Sequence, residues 1–260
     1  MIDLKEVSYM YKDIEVLRNI NLKVGDGDRL VLLGINGSGK TTLLKILNAL
    51  LFPQKGSYLY RGKEINEKNL RYGEFNKWFR KEVVLLFQNP DVMLFNPTVY
   101  DEIAFGPRQL GTDEKEIKEE VLFWSNRFGL SSYLERPPFE LSGGEKQKLC
   151  LACLLVLKPR VLLLDEPTAN LDPKAVGWFI DLLYEIDITS IISTHNLSLA
   201  PELGEKLVVL GENHTIVYQG RARDFLGDRE RLMEAGLLHK HGQKDYHVHG
   251  FCNESISKKE

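Results

Sequence analysis

The sequence predicts an α/β fold in which mainly parallel strands alternate with helices. Apolar runs typical of buried strands recur along the chain, as in "RLVLLG", "EVVLLF", "VLLLD" and "ITSIIST". Helical patterns follow two of these runs, in "TTLLKILNALL" and "PKAVGWFIDLLYEI". From about residue 89 to residue 157 the pattern becomes acidic and helical, which indicates a helical subdomain inserted into the α/β fold.

The remaining elements follow from alternation and turn residues. Near the start, "VLRNINLKV" alternates apolar and polar residues as a half-buried strand does, and "GDGD" ends it. In the inserted segment, Asp113 and Glu116 are suited to cap a helix that Gly129 ends. Later, "KLVVLGENHTIVYQG" predicts two strands around a turn, and "ARDFLGDRERLMEAGLL" predicts one helix. We expect one domain over residues 1–240 and a flexible tail over residues 241–260.

Composition excludes some classes of partner. The chain has 260 residues, of which 43% are hydrophobic, so it can bury a full core. Lys and Arg total 34 against 37 Asp and Glu, and the net charge of −3 gives no broad basic surface for nucleic acid. The start "MIDLKEVSYMY" lacks the features of a signal peptide. The longest apolar run, residues 149–157, is about half the roughly 20 residues that span a bilayer, so we expect another chain to cross any membrane involved.

The three cysteines do not suggest a disulfide framework. Their number is odd and small, which fits a reducing compartment. Cys150 and Cys153 form a C-x-x-C, but they lie within the apolar helical pattern "KLCLACLLVL" rather than in an exposed redox turn. We interpret both as small core residues.

The chain carries a complete phosphate-binding loop. "GINGSGKT", residues 34–41, fits G-x-x-x-x-G-K-[ST] between an apolar strand and a helix, a context that disfavours a chance glycine-rich turn. Its backbone N–H groups are suited to contact phosphate oxygens, Lys40 to reach the β- and γ-phosphates, and the Thr41 hydroxyl to hold Mg²⁺. The residues predicted to contact the nucleotide here are Gly34, Asn36, Gly37, Ser38, Gly39, Lys40, Thr41 and Thr42.

Two carboxylates, Asp165 and Glu166, end the apolar strand in "VLLLDEPT". Ligands bind at the carboxyl ends of strands in α/β sheets, so we expect both acids to face the nucleotide. Asp165 is predicted to hold Mg²⁺, directly or through water, and Glu166 to align and deprotonate the attacking water. The alternative is a solvated acidic strand end.

A second anion-binding element precedes this strand. In "LSGGEKQKLCLACLLVL" a small turn opens directly into a helix, whose N-terminal N–H groups and dipole attract negative charge. The phosphate loop, "LSGGEKQ" and "LLLDEPT", in this order and spacing, resemble the ATP-binding cassette family, the ATPases of ABC transporters. The resemblance extends to about residue 240. It implies a P-loop NTPase (RecA-like) core with an N-terminal antiparallel β subdomain and an inserted α-helical subdomain, with ATP and Mg²⁺ as cofactors.

The resemblance also implies how the two anion-binding elements cooperate. Two cassettes would face each other head to tail, with each ATP between the phosphate loop of one chain and the signature turn of the other. Ser142 and the N–H groups of Gly143 and Gly144 would then donate to the γ-phosphate. The pair is either a homodimer or a heterodimer with a related ATPase.

Four further positions match family residues. Tyr11 matches the aromatic on which adenine stacks, although neighbouring Tyr9 is similar and either is alternatively a core residue. Gln88 matches the Q-loop glutamine, which contacts Mg²⁺ and the attacking water. His195 matches the switch histidine that hydrogen-bonds the γ-phosphate, with a structural histidine as the alternative. Asp172 matches the D-loop aspartate, which communicates across the dimer.

Two residues depart from the family pattern without removing a catalytic group. Glu145 stands where glutamine often follows the signature glycines, and Asn170 replaces a common glycine. We therefore expect an active ATPase. Its predicted catalytic residues are Lys40, Gln88, Glu166 and His195, and its predicted Mg²⁺ ligands are Thr41, Gln88 and Asp165.

A longer segment indicates the subtype. "FQNPDVMLFNPTVYDEIAFGPRQLG" resembles the corresponding segment of energy-coupling-factor importer ATPases, which bring in vitamins and transition-metal ions such as cobalt and nickel. Val92 and Met93 stand where that subgroup usually has Asp and Gln. Phe95, Phe105 and their neighbours are predicted to form a groove for a helix of a transmembrane partner.

The C-terminal segment is rich in histidine. "HKHGQKDYHVHGFC" contains four of the six histidines, and imidazole suits Ni²⁺, Co²⁺ or Zn²⁺. A polar tail in which histidine has no role is the alternative. The predicted tail ligands are His239, His241, His247 and His249.

The leading hypothesis is therefore an ATPase subunit, peripheral on the cytoplasmic face of the membrane, that drives a cobalt or nickel importer through separate transmembrane subunits. A vitamin or other small-solute importer is the next. A soluble ABC ATPase of DNA repair or translation usually has two cassettes in one chain or long insertions, and neither is visible here. A metal-binding regulator whose ATPase is incidental is the remaining alternative.

Overall fold

A computed structural model describes residues 1–169, 171–241 and 245–248, with the backbone alone for residues 239–241 and 245–248. The chain divides into two compact units. The first joins Met1–Asn69 to Thr189–Glu260, and the second is Leu70–Ile188. The second unit thus begins earlier and ends later than the acidic segment of residues 89–157 that the sequence marks as helical.

An antiparallel sheet forms the N-terminal part of the first unit. Its strands are, in order across the sheet, β2 (Ile14–Val24), β1 (Ile2–Tyr11), β4 (Lys55–Tyr60) and β5 (Lys63–Glu64). The apolar residues that alternate along β1 and β2 are buried. This sheet is the predicted antiparallel β subdomain.

Parallel strands form the rest of the first unit's core. β3 (Arg29–Leu33) lies between β8 (Thr189–Thr194) and β9 (Lys206–Leu210), and both pair with it in parallel. Leu33 registers with Thr194 on one side and with Val209 on the other, so the three carboxyl ends lie level. Helix α1 (Lys40–Leu47) follows β3, and the short helix α7 (Ala200–Leu203) follows β8. β10 (Ile216–Arg221) pairs antiparallel with β9, as the sequence predicts.

The predicted single helix after β10 is wrong. The chain instead forms α8 (Ala222–Leu226) and α9 (Arg229–Glu234). Gly227 ends the first helix, and the Asp228 side chain accepts from the N–H groups of Glu230 and Arg231 to begin the second. A side-chain cap in the middle of the pattern competes with continuous helix, and here the cap prevails.

The second unit pairs two parallel strands and adds helices. β6 (Val83–Leu86) pairs with β7 (Val161–Asp165), and Leu86 registers with Leu164. All residues of both strands are buried, which explains their continuous apolar sequence. The helices are α2 (Glu74–Glu82), α3 (Val99–Leu110), α4 (Glu114–Arg127), α5 (Gly143–Leu155) and α6 (Pro173–Glu185), with 3₁₀ turns at Pro90–Val92, Ser131–Tyr133 and Pro138–Glu140.

The start of α4 confirms Asp113 as the predicted helix cap. Asp113 accepts from the Lys115 N–H at 2.9 Å. Arg108 of α3 joins the same corner, because its guanidinium binds Asp101 at 3.0 Å and Glu114 at 2.9 Å. In α5, Cys150 is buried and Cys153 partly buried, which supports their interpretation as packing residues. Across the described ranges, no helix is both long and apolar enough to traverse a lipid bilayer.

Candidate active site

The phosphate loop joins β3 to α1 in the first unit, as predicted. Lys40 is the first residue of α1, and its Nζ donates to the carbonyls of Gly34 at 2.8 Å and Ile35 at 3.0 Å. Gly39 is the N-cap of the helix and supplies no side-chain cap, so the first amides of α1 are not bonded to a capping side chain. An amine turned back on the loop and a helix start of this kind together suit a bound phosphate.

Two glycines of the loop are required by close packing. A Cβ on Gly39 would contact the Val16 carbonyl oxygen and lie 2.9 Å from Leu17 Cδ2, and Gly39 has φ of 107°. A Cβ on Gly34 would lie 2.6 Å from Ser38 Oγ. Gly37 also has positive φ, at 84°, but open space surrounds its Cβ position. Packing against β2 therefore requires glycine at position 39, whereas at position 37 only the backbone conformation favours glycine.

The other predicted loop residues differ in exposure. Asn36, Gly37 and Thr41 are exposed, whereas Ser38 and Thr42 are buried. Ser38 Oγ is buried and has no hydrogen-bond partner. A buried hydroxyl without a partner is costly, and it is a feature expected of a loop that completes its hydrogen bonds with a ligand.

His195 and Tyr11 also belong to the first unit. His195 directly follows β8, whose carboxyl end is level with the end of β3 that leads into the phosphate loop. Tyr11 ends β1 with 41% of its surface exposed, and Tyr9 meets it edge to face at 5.0 Å. The pKa of Tyr9 is raised mainly by burial, and secondly by the neighbouring Tyr11. Tyr11 is therefore the ring with a surface available for stacking, and Tyr9 is its support.

The two carboxylates lie in the second unit at the carboxyl end of β7. Asp165 is the last residue of the strand and is 3% exposed, while Glu166 is 8% exposed. Glu166 has φ of 47°, a left-handed conformation that is rare for a residue with a side chain. Such strain is typical of functional sites. Gln88 is exposed two residues beyond β6, which ends level with β7 in the parallel register.

The signature turn begins α5 in a complete capping box. Ser142 is the N-cap, its side chain accepts from the Glu145 N–H, and the Glu145 carboxylate accepts from the Ser142 N–H at 2.8 Å. The Ser142 hydroxyl lies 2.6 Å from the same carboxylate. The Tyr133 hydroxyl also hydrogen-bonds the Glu145 carboxylate. The bonds from Ser142, and then that from Tyr133, lower the pKa of Glu145. Gly143 and Gly144 have no atom within 4 Å of a Cβ position, so space is open above the turn.

Two side chains of α5 connect the signature helix to other loops of the second unit. The Gln147 amide donates to the Pro167 carbonyl at 3.0 Å, in the turn that follows Glu166. Lys146 Nζ binds Asp91 at 2.7 Å, in the 3₁₀ turn that follows Gln88. The helix thus contacts the segments that carry both predicted catalytic groups of this unit.

Asp172 has a clear local role. It is the N-cap of α6, its side chain accepts from the Ala175 N–H at 2.9 Å, and Pro173 occupies the first helical position. Asn170 lies outside the described residues. The communicating role that the family resemblance implies for Asp172 stays a prediction.

The histidine-rich segment begins as a hairpin that the sequence did not predict. β11 (Leu238–His241) pairs antiparallel with β12 (Asp245–Val248), and His239 registers with His247. His249 lies outside the described residues. Among the side chains that the structure describes, no group of three or more His, Cys, Asp or Glu could hold a metal ion. The tail metal site is therefore untested.

Comparison with known proteins decides the family. The sequence model of the family described as "ABC transporter" matches residues 17–169, which include the phosphate loop, the signature turn and both carboxylates. This chain belongs to the ABC transporter family. Like other ABC transporter ATP-binding proteins, it is an ATPase coupled to transport.

Relatives of this ABC protein cover nearly its whole length. A putative ABC transporter ATP-binding protein of Methanosarcina acetivorans is 43% identical over 95% of this chain and 91% of its own. The energy-coupling factor transporter ATP-binding protein EcfA of Methanothermobacter thermautotrophicus is 38% identical over 91% of this chain and 76% of its own. Both therefore share the full cassette and not only its motifs.

Solved ABC cassettes share the fold. The structure of cbiO1 from Clostridium perfringens, part of the ABC transporter complex cbiONQ, matches with a TM-score of 0.77 and 32% identity over 91% of this chain and 94% of its own. A dimeric ATP-binding cassette in a post-hydrolysis state with ADP and Pi matches with a TM-score of 0.73 and 25% identity over 86% of this chain and 99% of its own. The predicted P-loop NTPase fold with β and helical subdomains is confirmed.

His214 is a residue of the active-site surroundings that sequence reasoning missed. It lies in the turn between β9 and β10, and its ring Nδ1 is 3.4 Å from the Ser38 carbonyl oxygen of the phosphate loop. The sequence predicts the turn but gives no signal that the turn contacts the loop.

Proposed function

We propose that this ABC ATPase is the ATP-hydrolysing subunit of an energy-coupling-factor importer and drives its transport through a separate transmembrane partner. The similarity to EcfA over 91% of the chain carries this proposal. A second EcfA, from Methanosphaera stadtmanae, is 37% identical over the same share. In this function the chain acts as a peripheral subunit on the cytoplasmic face of the membrane.

Cobalt or nickel is the solute that we propose first. The support is the likeness to cbiO1, at 32% identity over 91% of the chain, together with the histidine-rich C-terminal segment. A vitamin or another small solute is the alternative, because selectivity would belong to the membrane subunit. A soluble ABC ATPase with no transport partner is disfavoured by the EcfA similarity.

In the first unit the phosphate loop would bind the nucleotide. Lys40 would exchange its bonds to the Gly34 and Ile35 carbonyls for the β- and γ-phosphates, which neutralises charge on the transferred group. The Ser38 hydroxyl, now without a partner, would bond a phosphate oxygen or the Mg²⁺ shell. Thr41 would hold Mg²⁺, Tyr11 would stack on adenine, and His195 would bond the γ-phosphate.

In the second unit Asp165, Glu166 and Gln88 would supply the groups for hydrolysis. Asp165 and Gln88 are suited to the magnesium shell, since hard cations prefer oxygen ligands. Glu166 would orient the attacking water and take its proton. Mg²⁺ supplies charge neutralisation at the β- and γ-phosphates when it is bound.

The signature turn would serve the nucleotide of a second subunit. Ser142 and the open N–H groups of Gly143 and Gly144 form an exposed helix start, which suits an anion brought from another chain. The subunits form a homodimer, or a heterodimer with a related ATPase.

Glu166→Gln tests this dimer. The variant should bind MgATP, hydrolyse it at least about 100-fold more slowly, and form a stable ATP-dependent dimer. Light scattering with and without MgATP measures the dimer, and a monomer with ATP bound would contradict the arrangement.

An exposed aromatic pair in the second unit is the proposed contact for the membrane partner. Phe95 is 67% exposed and meets Phe105 edge to face at 4.9 Å. The buried Glu102 carboxylate accepts from the Phe95 and Asn96 N–H groups and fixes the loop that presents Phe95. Phe95→Ser should reduce recovery of the transmembrane subunits with the tagged ATPase, while the ATPase activity of the isolated protein stays unchanged.

The solute is tested on the complete transporter. The tagged chain is purified with its membrane partner, and metal content is measured by elemental analysis before and after reconstitution into vesicles. ATP-dependent accumulation of Co²⁺ or Ni²⁺ supports metal import. A complex that accumulates neither metal, but whose ATPase activity is stimulated by a vitamin, supports the alternative.

A further inference from the structure

We infer that His214 is a positioning residue for the phosphate loop and acts by orienting one of its amide donors. The turn that carries it joins β9 to β10 and lies within the same compact unit as the loop. This role goes beyond the proposed importer function and requires only that the loop binds a nucleotide.

The backbone holds His214 in an unusual conformation. Its φ is 62°, in the left-handed region that glycine occupies most readily. Its N–H donates to the Gly211 carbonyl at 3.1 Å, and its own carbonyl accepts from the Arg18 N–H at 2.9 Å. The turn is thus bonded both to itself and to β2, so the position of the ring is well determined.

The ring contacts the phosphate loop. Nδ1 lies 3.4 Å from the Ser38 carbonyl oxygen. A carbonyl oxygen only accepts, so a hydrogen bond here requires the proton on Nδ1. The end of β9 also packs against the loop, since a Cβ on Gly34 would lie 2.7 Å from the Leu210 carbonyl oxygen.

The consequence follows from the planar peptide. The Ser38 carbonyl and the Gly39 N–H belong to one peptide group, and the described chain contains no cis peptide bond. In a trans peptide these two groups point in opposite directions. A donor that holds the carbonyl toward His214 therefore aims the Gly39 N–H away from the ring, at the start of α1 where phosphate is proposed to bind. Gly39 has φ of 107° and no Cβ, so its own side chain does not fix the orientation of this peptide.

The test is His214→Gly in the full-length chain. Glycine suits the φ of 62° and removes only the ring. We expect KM for MgATP and the calorimetric Kd for MgADP to rise about 3- to 10-fold, the range for one lost hydrogen bond, with kcat changed less than about 2-fold. The melting temperature should not fall, because a strained residue is relieved.

Two further variants separate positioning from simple turn stability. Asn213→Ala removes the acceptor of the Thr215 hydroxyl at 2.8 Å in the same turn, and should leave KM unchanged even where melting temperature falls. His214→Asn tolerates the same φ and carries a shorter donor, so its KM should lie at or near that of His214→Gly. Unchanged KM and Kd in His214→Gly would overturn the inference, and so would an equal rise in Asn213→Ala.

Discussion

Glu145 places a negative charge where the signature turn is proposed to receive a phosphate, and its removal gives the sharpest prediction. The carboxylate accepts from the Ser142 N–H at 2.8 Å and from its hydroxyl at 2.6 Å. A hydroxyl has one proton, so Ser142 must release Glu145 before it can donate to phosphate. Glu145→Gln keeps an acceptor for the Ser142 N–H, because glutamine also forms capping boxes, but removes the charge.

The size of the effect follows from these distances. Once the hydroxyl has turned to a phosphate oxygen about 2.7 Å away, the Glu145 carboxylate is still held by the Ser142 N–H, and the two anionic oxygens lie about 5 Å apart. Unit charges about 5 Å apart repel by about 0.8 kcal/mol at the dielectric constant of water, the appropriate limit because Ser142 is exposed. Glu145→Gln should therefore tighten the ATP-dependent dimer about 4-fold for each signature turn, or about 16-fold for a symmetric pair.

The assay uses the Glu166→Gln background, which removes hydrolysis. Sedimentation equilibrium with saturating MgATP gives the dimer Kd with and without Glu145→Gln. Glu140→Gln is the matched control, because it removes the same charge from an exposed position just before the turn. Glu145→Gln should also lower the melting temperature slightly, since an acidic side chain at a helix N-terminus stabilises the helix by about 0.3–1 kcal/mol. A dimer no tighter than that of Glu166→Gln, or an equal gain from Glu140→Gln, would refute the reasoning.

Other predictions test packing, thiol reactivity and the tail. Gly39→Ala should destabilise the fold by at least about 2 kcal/mol more than Gly37→Ala in urea unfolding, because both have positive φ but only Gly39 adds a steric clash. Burial raises the pKa of Cys150 to about 12, so at pH 8 its thiol should react with iodoacetamide only after unfolding, which peptide mass spectrometry measures. If the tail binds metal, replacing both His239 and His247 by Gln should weaken Ni²⁺ binding at least about 10-fold by calorimetry; unchanged binding would end that hypothesis.

The sequence predicts most of the elements that carry the candidate catalytic residues, because each motif specifies its own local structure. The strand, glycine loop and helix around Lys40 are specified by neighbouring residues, and so is the start of α5 directly after the signature turn. The apolar runs of β6 and β7 likewise predict buried strands, since both faces are covered.

Features that depend on distant residues were not predicted. Within the segment of residues 89–157 the sequence predicted helical structure but not the bounds of α3, which begins from Thr98 and contains Pro107. The left-handed Glu166 and the contact between His214 and Ser38 arise from tertiary packing. The break at Asp228 was missed because a continuous apolar pattern conceals a side-chain cap.

The bond from the Gln147 amide to the Pro167 carbonyl has a mechanical consequence. Gln147 is buried, so rotating α5 away from the segment after Glu166 would leave two polar groups without water. In the proposed dimer α5 contacts one nucleotide and the end of β7 hydrolyses the other, so these two segments should move together. In such a dimer, a displacement of one catalytic centre would be transmitted through this amide to the other catalytic centre.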